Sequence, residues 1–100
     1  MANLWHWKGR QIFDTVEDRD RAVNLLADFV DARRGVIPRV DATWGNGIET
    51  HDPMQGEAMS GPGLTWSCEV PDEHGNEASQ VAGQVQNFSA EGDNALDPID

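Results

Sequence analysis

The segment that most constrains the fold is residues 14–35, DTVEDRDRAVNLLADFVDARRG. Its large apolar residues recur at helical spacing and form one stripe, made by Ala22, Leu25, Leu26, Phe29 and Val30. Asp14 or Thr15 suits the N-cap, and Gly35 suits the position just past the last turn. The pattern predicts one amphipathic helix over about 16–34, and its apolar stripe needs a second layer to pack on.

Alternating patterns on both sides of this helix predict that the second layer is a β-sheet. NLWHWKGRQIF predicts two short strands joined at 8–10, with Trp5 and Trp7 on one face. VIPRVDATW predicts a strand that either lies at the edge of the sheet or begins late, because Pro38 has no backbone N–H to donate.

Turn signals divide the rest of the chain. Asn-Gly at 46–47 predicts a hairpin with a return strand through 48–50, and the Pro- and Gly-rich stretch 51–63 predicts a long loop. LTWSCEV at 64–70 alternates and predicts a strand with Cys68 facing inward.

The stretch after this strand is harder to interpret. Gly75 suits the left-handed position of a turn, after which 77–88 fits either a strand, which the turn favours, or a helix. The acidic stretch 91–100 predicts a flexible tail. The whole pattern predicts an α+β fold, a single domain over 1–90 with one helix packed on an antiparallel sheet of four to six strands.

Composition limits where the chain acts. One hundred residues suit one small domain, and no apolar run approaches the roughly 20 residues that span a bilayer. No basic region followed by a long apolar stretch opens the sequence, so we expect no signal peptide. Cys68 is the only cysteine, which excludes an internal disulfide and favours the reducing cytoplasm.

The distribution of charge is uneven along the chain. The formal net charge is −11, and all seven Lys and Arg lie between Lys8 and Arg39. Residues 41–100 hold twelve acids and no Lys or Arg. The field of these negative charges repels nucleic acid and anionic membranes, so we expect the protein to bind neither of them directly. The same field attracts basic surfaces.

Two short clusters are candidates for chemistry. CEVPDEHGNE at 68–77 contains Cys68 and His74, which the predicted strand and turn point in different directions, and its acids lack the spacing of a calcium loop. ETHD at 49–52 holds His51 between acids with no visible nucleophile. We therefore expect no metal site, no cofactor and no catalytic residue, and we expect the protein not to be an enzyme.

In size and charge the chain resembles small acidic phage-encoded inhibitors, above all the anti-CRISPR proteins. This resemblance implies a nucleic-acid mimic in the host cytoplasm that blocks the basic surface of a nucleic-acid-binding protein or complex. The acids expected to meet that partner are Asp52, Glu57, Glu69, Asp72, Glu73 and Glu77.

Two alternatives remain open for the acidity. In a salt-adapted protein, high ionic strength would screen the self-repulsion and the acids would form no interface. In a virion-associated structural or accessory protein, strands and Trp side chains would support assembly. The sequence leaves monomer and dimer equally open.

Overall fold

A computed structural model describes residues 4–37, 39–52 and 57–99, with the side chains of 49–52, 57–59 and 91 left out of the description. The elements follow in the order β1 (Leu4–Phe13), α1 (Val16–Asp31), β2 (Val40–Asp52), β3 (Glu57–Pro71), a 3₁₀ turn (Asp72–His74), α2 (Gly75–Phe88) and β4 (Ser89–Ile99). The four strands form one antiparallel sheet in the order β2-β3-β1-β4. This β-α-β-β-α-β order is the ferredoxin-like arrangement. The predicted α+β class is confirmed.

The core lies between the helices and one face of the sheet. Trp7 is fully buried at its centre, edge-on to Phe29 of α1 and to Trp66 of β3, with ring centroids 5.5 and 5.6 Å apart. The inward residues of β3 are all buried, as the alternation of 64–70 predicts: Leu64, Trp66, Cys68 and Val70. Since the helices cover only this face, the opposite face of the sheet is left open.

Helix α1 begins and packs as its sequence predicts. Thr15 caps it, because its side-chain oxygen accepts a hydrogen bond from the Asp18 amide at 3.1 Å. The helix ends at Asp31, earlier than predicted, and hydrogen-bonded turns continue the chain toward Ile37. Arg19 is buried and donates to the backbone oxygen of Gly45 at 2.7 Å, so α1 is tied to β2.

Two predicted turns are wrong, and at the first of them glycine serves packing instead. Strand β1 runs through Gly9 without a turn, and a Cβ at Gly9 would lie 2.4 Å from the Trp66 ring. Asn46-Gly47 makes no hairpin. The β2–β3 register shifts between Gly45 and Ile48, so these two residues of β2 lie opposite the single residue Pro62 and form a bulge.

The predicted loop 51–63 is largely strand. Residues 57–61 and Gly63 pair with β2, while 53–56 of this prediction lie outside the described residues. Pro62 lies opposite the bulge, where the ladder of hydrogen bonds is interrupted, so its missing N–H is tolerated. Gly63 leaves space for Ile48, whose Cβ would be 2.5 Å from an added Cβ.

The favoured strand over 77–88 is wrong, and the alternative helix is right. Gly75 has right-handed backbone angles and opens α2 rather than completing a turn. The buried face of α2 follows helical spacing: Gly75, Ala78, Ala82 and Val85. A second helix therefore packs beside α1 on the sheet.

The predicted tail over 91–100 is also wrong as far as Ile99, because Ser89–Ile99 pairs with β1 as strand β4. Leu96 packs partly buried against the core, whereas Asp93 and Asp97 are exposed. The short stretch DNALD thus alternates like any half-buried strand, with acids on its outer side.

Neither α-helix in the described part of the chain combines the length and the apolar character that crossing a membrane requires.

Candidate functional site

The open face of the sheet carries polar side chains in cross-strand rows. In β1, Trp7 points into the core, so its neighbours His6 and Lys8 point to the open face. His6 lies opposite Glu69 of β3 and Asp97 of β4. Residues directly opposite on one face have Cβ atoms about 4.5–5.5 Å apart, so these side chains are within mutual reach.

His6 and Ser67 form a side-chain hydrogen bond across β1 and β3 on the open face. His6 Nε2 and Ser67 Oγ are 2.9 Å apart, and the donor depends on the imidazole tautomer. Both side chains are half-buried by their neighbours. This contact holds the imidazole in place over the middle of the sheet.

Two adjacent concavities lie along this face. One, of about 490 Å³, is lined by Lys8, Arg10, Asp41, Ser67 and Asp93 among others. The other, of about 450 Å³, is lined by His6, Arg39, Asp41, Ser67 and Glu69 among others. Because they share Asp41 and Ser67, we treat them as one feature, the open-face groove.

The open-face groove is rich in basic side chains for so acidic a protein. It holds three of the chain's seven cations, Lys8, Arg10 and Arg39, in a molecule of net charge −11. Arg39 Nε lies 3.4 Å from Asp41 Oδ1, and both side chains are largely exposed. Exposed pairs of this kind are weak, so the side chains of Arg39 and Asp41 remain able to meet a ligand.

The predicted partner-binding acids lie in three separate places. Glu69 lies exposed on the open face, in the groove. Asp52 and Glu57 are partners in the backbone register where β2 ends and β3 begins, and their side chains are outside the description. The remaining three acids lie around the start of α2.

At the start of α2 the acids have local partners. Asp72 accepts a hydrogen bond from the Trp5 indole at 2.8 Å. Glu77 pairs with Arg33 and lies 3.6 Å from His74, while Glu73 is 3.9 Å from the same imidazole. These contacts join the 3₁₀ turn and α2 to β1 and to the turn that follows α1, a structural role the sequence did not indicate. Whether these acids also meet a basic partner stays a prediction.

Cys68 is buried, and burial raises the pKa of its thiol from 9.0 to about 11. A neutral, enclosed thiol is a poor nucleophile and a poor metal ligand at neutral pH. Within the described residues, no three His, Cys, Asp or Glu side chains are gathered closely enough to hold a metal ion.

The groove residues His6, Lys8, Arg39 and Ser67 were not predicted as site residues. Period-two alternation places Ser67 outward, but the sequence does not reveal that β1 lies beside β3. The register His6↔Glu69 and Lys8↔Ser67 exists only in the folded sheet.

No protein-family model matches the chain. No curated protein matches its sequence either. Solved structures do match its fold. It is similar to CutA from Synechococcus elongatus PCC7942, with TM-score 0.59 and 18% identity, covering 99% of this chain and 79% of that one.

Two further solved CutA1 structures also match the fold of this chain. CutA1 from Oryza sativa matches with TM-score 0.56 and 11% identity, over 99% of this chain and 82% of that one. The divalent ion tolerance protein CutA1 from Ehrlichia chaffeensis matches with TM-score 0.51 and 14% identity, over 100% and 85%.

These matches correct the expected function. The resemblance to phage-encoded inhibitors of the anti-CRISPR kind is wrong, because these three structures, which match over the whole chain, are CutA proteins. The same finding overturns the nucleic-acid mimic and the alternative of a salt-adapted or virion-associated protein. Along its whole length, this chain has the fold of the CutA proteins.

Proposed function

We propose that this protein binds divalent cations, and that it acts by binding rather than by catalysis. The observation that carries the proposal is the whole-chain likeness to CutA structures, one of which is named a divalent ion tolerance protein. The open-face groove is the surface to which we assign the binding.

The chemistry of the groove supports this assignment. Carboxylate oxygens and imidazole nitrogens are the common ligands of divalent first-row metals. His6 lies between Glu69 and Asp97 in register, and Asp41 lines the same groove. The acids are exposed and their side chains can rotate, so we expect them to close around a cation that arrives.

The position of Ser67 favours binding over catalysis. Its 2.9 Å contact with His6 has the length of a nucleophile–base pair. However, β3 lies between β1 and β2, so its backbone amides serve the two ladders instead of pointing at a developing oxyanion. Labelling of Ser67 by a fluorophosphonate probe would contradict the non-catalytic part of the proposal.

We further propose that the protein acts in the cytoplasm. The single cysteine is buried and free, which suits a reducing compartment.

The test is a titration of the protein with Mn²⁺, followed by the broadening of amide signals in NMR spectra. We expect broadening centred on His6, Ser67 and Glu69, and we expect Glu69→Gln to weaken it. Glu73→Gln is the matched control, since Glu73 is also exposed but lies on the 3₁₀ turn. Uniform weak broadening that both variants leave unchanged would exclude the groove as the site.

A further inference from the structure

The dipeptide Asn46-Gly47 is a turn signal that this fold does not use for a turn. Both residues lie in the β2 bulge, opposite the single residue Pro62, and neither has a partner in the β2–β3 register. Gly45 and Ile48, on either side of them, are paired with β3. Because a bulge interrupts the ladder of hydrogen bonds, the backbone of this dipeptide is held less firmly than the rest of β2.

The surroundings of the dipeptide leave it accessible. Asn46 and Gly47 are both exposed, and a Cβ added at Gly47 would meet no atom within 4 Å. Glycine has no side chain and the widest range of backbone angles. The backbone nitrogen of Gly47 can therefore approach the side-chain amide of Asn46 without obstruction from its own residue or from a neighbour.

We propose that Asn46 is a site of spontaneous deamidation in the folded protein, and that the β2 bulge is the feature that permits the reaction. The reacting groups are the side-chain amide of Asn46 and the backbone nitrogen of Gly47. This inference does not depend on the proposed binding of divalent cations.

The reaction needs only water besides these two residues. The Gly47 nitrogen attacks Cγ of Asn46, and the new C–N bond replaces the bond from Cγ to Nδ2. Nδ2 leaves as ammonia and takes the proton of the Gly47 nitrogen. Water then opens the resulting succinimide ring. Opening at Cγ gives aspartate, whereas opening at the backbone carbonyl gives isoaspartate, whose main chain runs through Cβ and Cγ. No atom is oxidised or reduced.

Two other exposed asparagines lack this arrangement. Asn24 lies in the interior of α1 and Asn87 in the last turn of α2. The amide that follows each of them belongs to its helix, where backbone N–H groups donate to the carbonyl four residues earlier. That nitrogen cannot approach the preceding side chain without losing its hydrogen bond. The following residues, Leu25 and Phe88, also carry large side chains.

The position of the bulge also suits the product. Isoaspartate adds one methylene group to the main chain, at a place where β2 already holds an unpaired residue. The paired residues on both sides can therefore keep their register. Arg19 donates to the backbone oxygen of Gly45 at 2.7 Å, one residue before the converted position, so the contact between α1 and β2 is kept as well.

The experiment incubates the full chain at physiological temperature in a mildly alkaline buffer, with and without urea. Peptide mass spectrometry follows each asparagine, since deamidation adds about one mass unit, and methyl transfer by an isoaspartyl methyltransferase measures isoaspartate. The variants are Gly47→Ala and Asn46→Asp. We expect Gly47→Ala to fold, because the added Cβ meets no atom and the backbone of Gly47 is not left-handed. Asn46→Asp shows by circular dichroism whether the aspartate product stays folded.

We expect Asn46 to convert in the folded protein while Asn24 and Asn87 stay unchanged over the same period. Urea should speed the conversion of Asn46 by no more than about tenfold, which corresponds to a local opening free energy of at most roughly 1.4 kcal/mol. Gly47→Ala should slow the conversion about tenfold, because the alanine side chain narrows the range of backbone angles from which the nitrogen can attack.

Three outcomes would overturn the inference. If urea speeds the conversion by more than this factor, the strand protects the dipeptide despite the bulge. If Asn24 or Asn87 converts as fast as Asn46 in the folded protein, the bulge has no specific role. If Gly47→Ala is folded and converts as fast as the parent chain, the glycine does not permit the attack. The comparison with urea uses the parent chain, so it decides the inference even if Gly47→Ala does not fold.

Discussion

The side-chain amide of Gln11 donates a hydrogen bond to the side-chain oxygen of Gln86 at 2.5 Å, and so joins β1 to α2 inside the domain. Gln11 is fully buried and also lies 3.3 Å from the Ser89 hydroxyl. Asn94 joins this polar network by donating to Gln11 Oε1 at 3.5 Å, and it also donates to the Ala82 backbone oxygen at 3.1 Å. Since Ser89 and Asn94 both belong to β4, the network connects β4 to β1 and α2.

Replacing Gln11 tests this network. Gln11→Ala removes a fully buried side chain together with its hydrogen bonds to Gln86 and Ser89, so we expect the free energy of unfolding to fall by about 2–3 kcal/mol in urea titrations. Gln84→Ala on the exposed side of α2 is the control, with a change within about 0.5 kcal/mol. Equal losses for the two variants would show that the network does not stabilise the domain.

Gly9 and Gly83 allow a controlled comparison of what an added methyl group does to stability. An added methyl at Gly9 would lie 2.4 Å from the Trp66 ring, whereas a Cβ at Gly83 meets no atom within 4 Å. We expect Gly9→Ala to lower the free energy of unfolding by about 1–3 kcal/mol. Gly83→Ala raises it by about 0.5–1 kcal/mol, since alanine favours a helix. Near-ultraviolet circular dichroism should report the displaced Trp66 in Gly9→Ala; an unperturbed spectrum would contradict the close contact.

The Trp5–Asp72 hydrogen bond fixes the 3₁₀ turn before α2. Trp5→Phe removes the indole donor, and we expect it to cost about 1 kcal/mol in the free energy of unfolding. Asp72→Asn keeps an oxygen acceptor and should cost less. The control is Trp44→Phe, because Trp44 is 54% exposed. Chemical denaturation of the three variants measures the difference, and a larger loss for Trp44→Phe would refute the assignment.

The buried thiol predicts how stability changes at alkaline pH. In the folded protein the pKa of Cys68 is raised from 9.0 to about 11, so the neutral thiol is favoured there. Between these values the unfolded chain loses its proton first, and the free energy of unfolding falls as pH rises. The full effect of a shift this size is roughly 2–3 kcal/mol.

The measurement is urea unfolding at several pH values from 8 to 11, compared with Cys68→Ala. The variant should be less stable overall but show a shallower alkaline slope. The chain has no Tyr and one Lys, so few other groups titrate in this range. Identical slopes in both proteins would mean that Cys68 is accessible to water.

The sequence predicts those elements whose local pattern and tertiary environment agree. Helix α1 combines a capping Thr15 with a single apolar stripe, and 64–70 alternates cleanly because one face is buried. The strand in the acidic stretch 89–99 was missed, because its alternation is short and its inward residues include Asn94 and Gly92. Strand formation there depends on β1, which offers a free edge only in the folded sheet.

Glycine was the main source of error elsewhere. Local rules assign Gly9, Gly47 and Gly75 to turns, whereas the structure uses them in a strand, a bulge and a helix start. The space left for Trp66 or near Trp5 depends on residues distant in sequence. The open-face groove was missed for a related reason, since the register between β1 and β3 cannot be read from either strand alone.

The strand order β2-β3-β1-β4 also affects how fast the chain folds and when β1 can pair. Strand β1 lies between β3 and β4, and its register pairs Leu4 with Pro71 on one side and with Ile99 on the other. Contacts so distant along the chain slow folding, because large loops must close before they form. During synthesis on the ribosome, β1 therefore has no strand partner until β3 has emerged. Until then we expect the face that carries Trp7 to be accessible to chaperones.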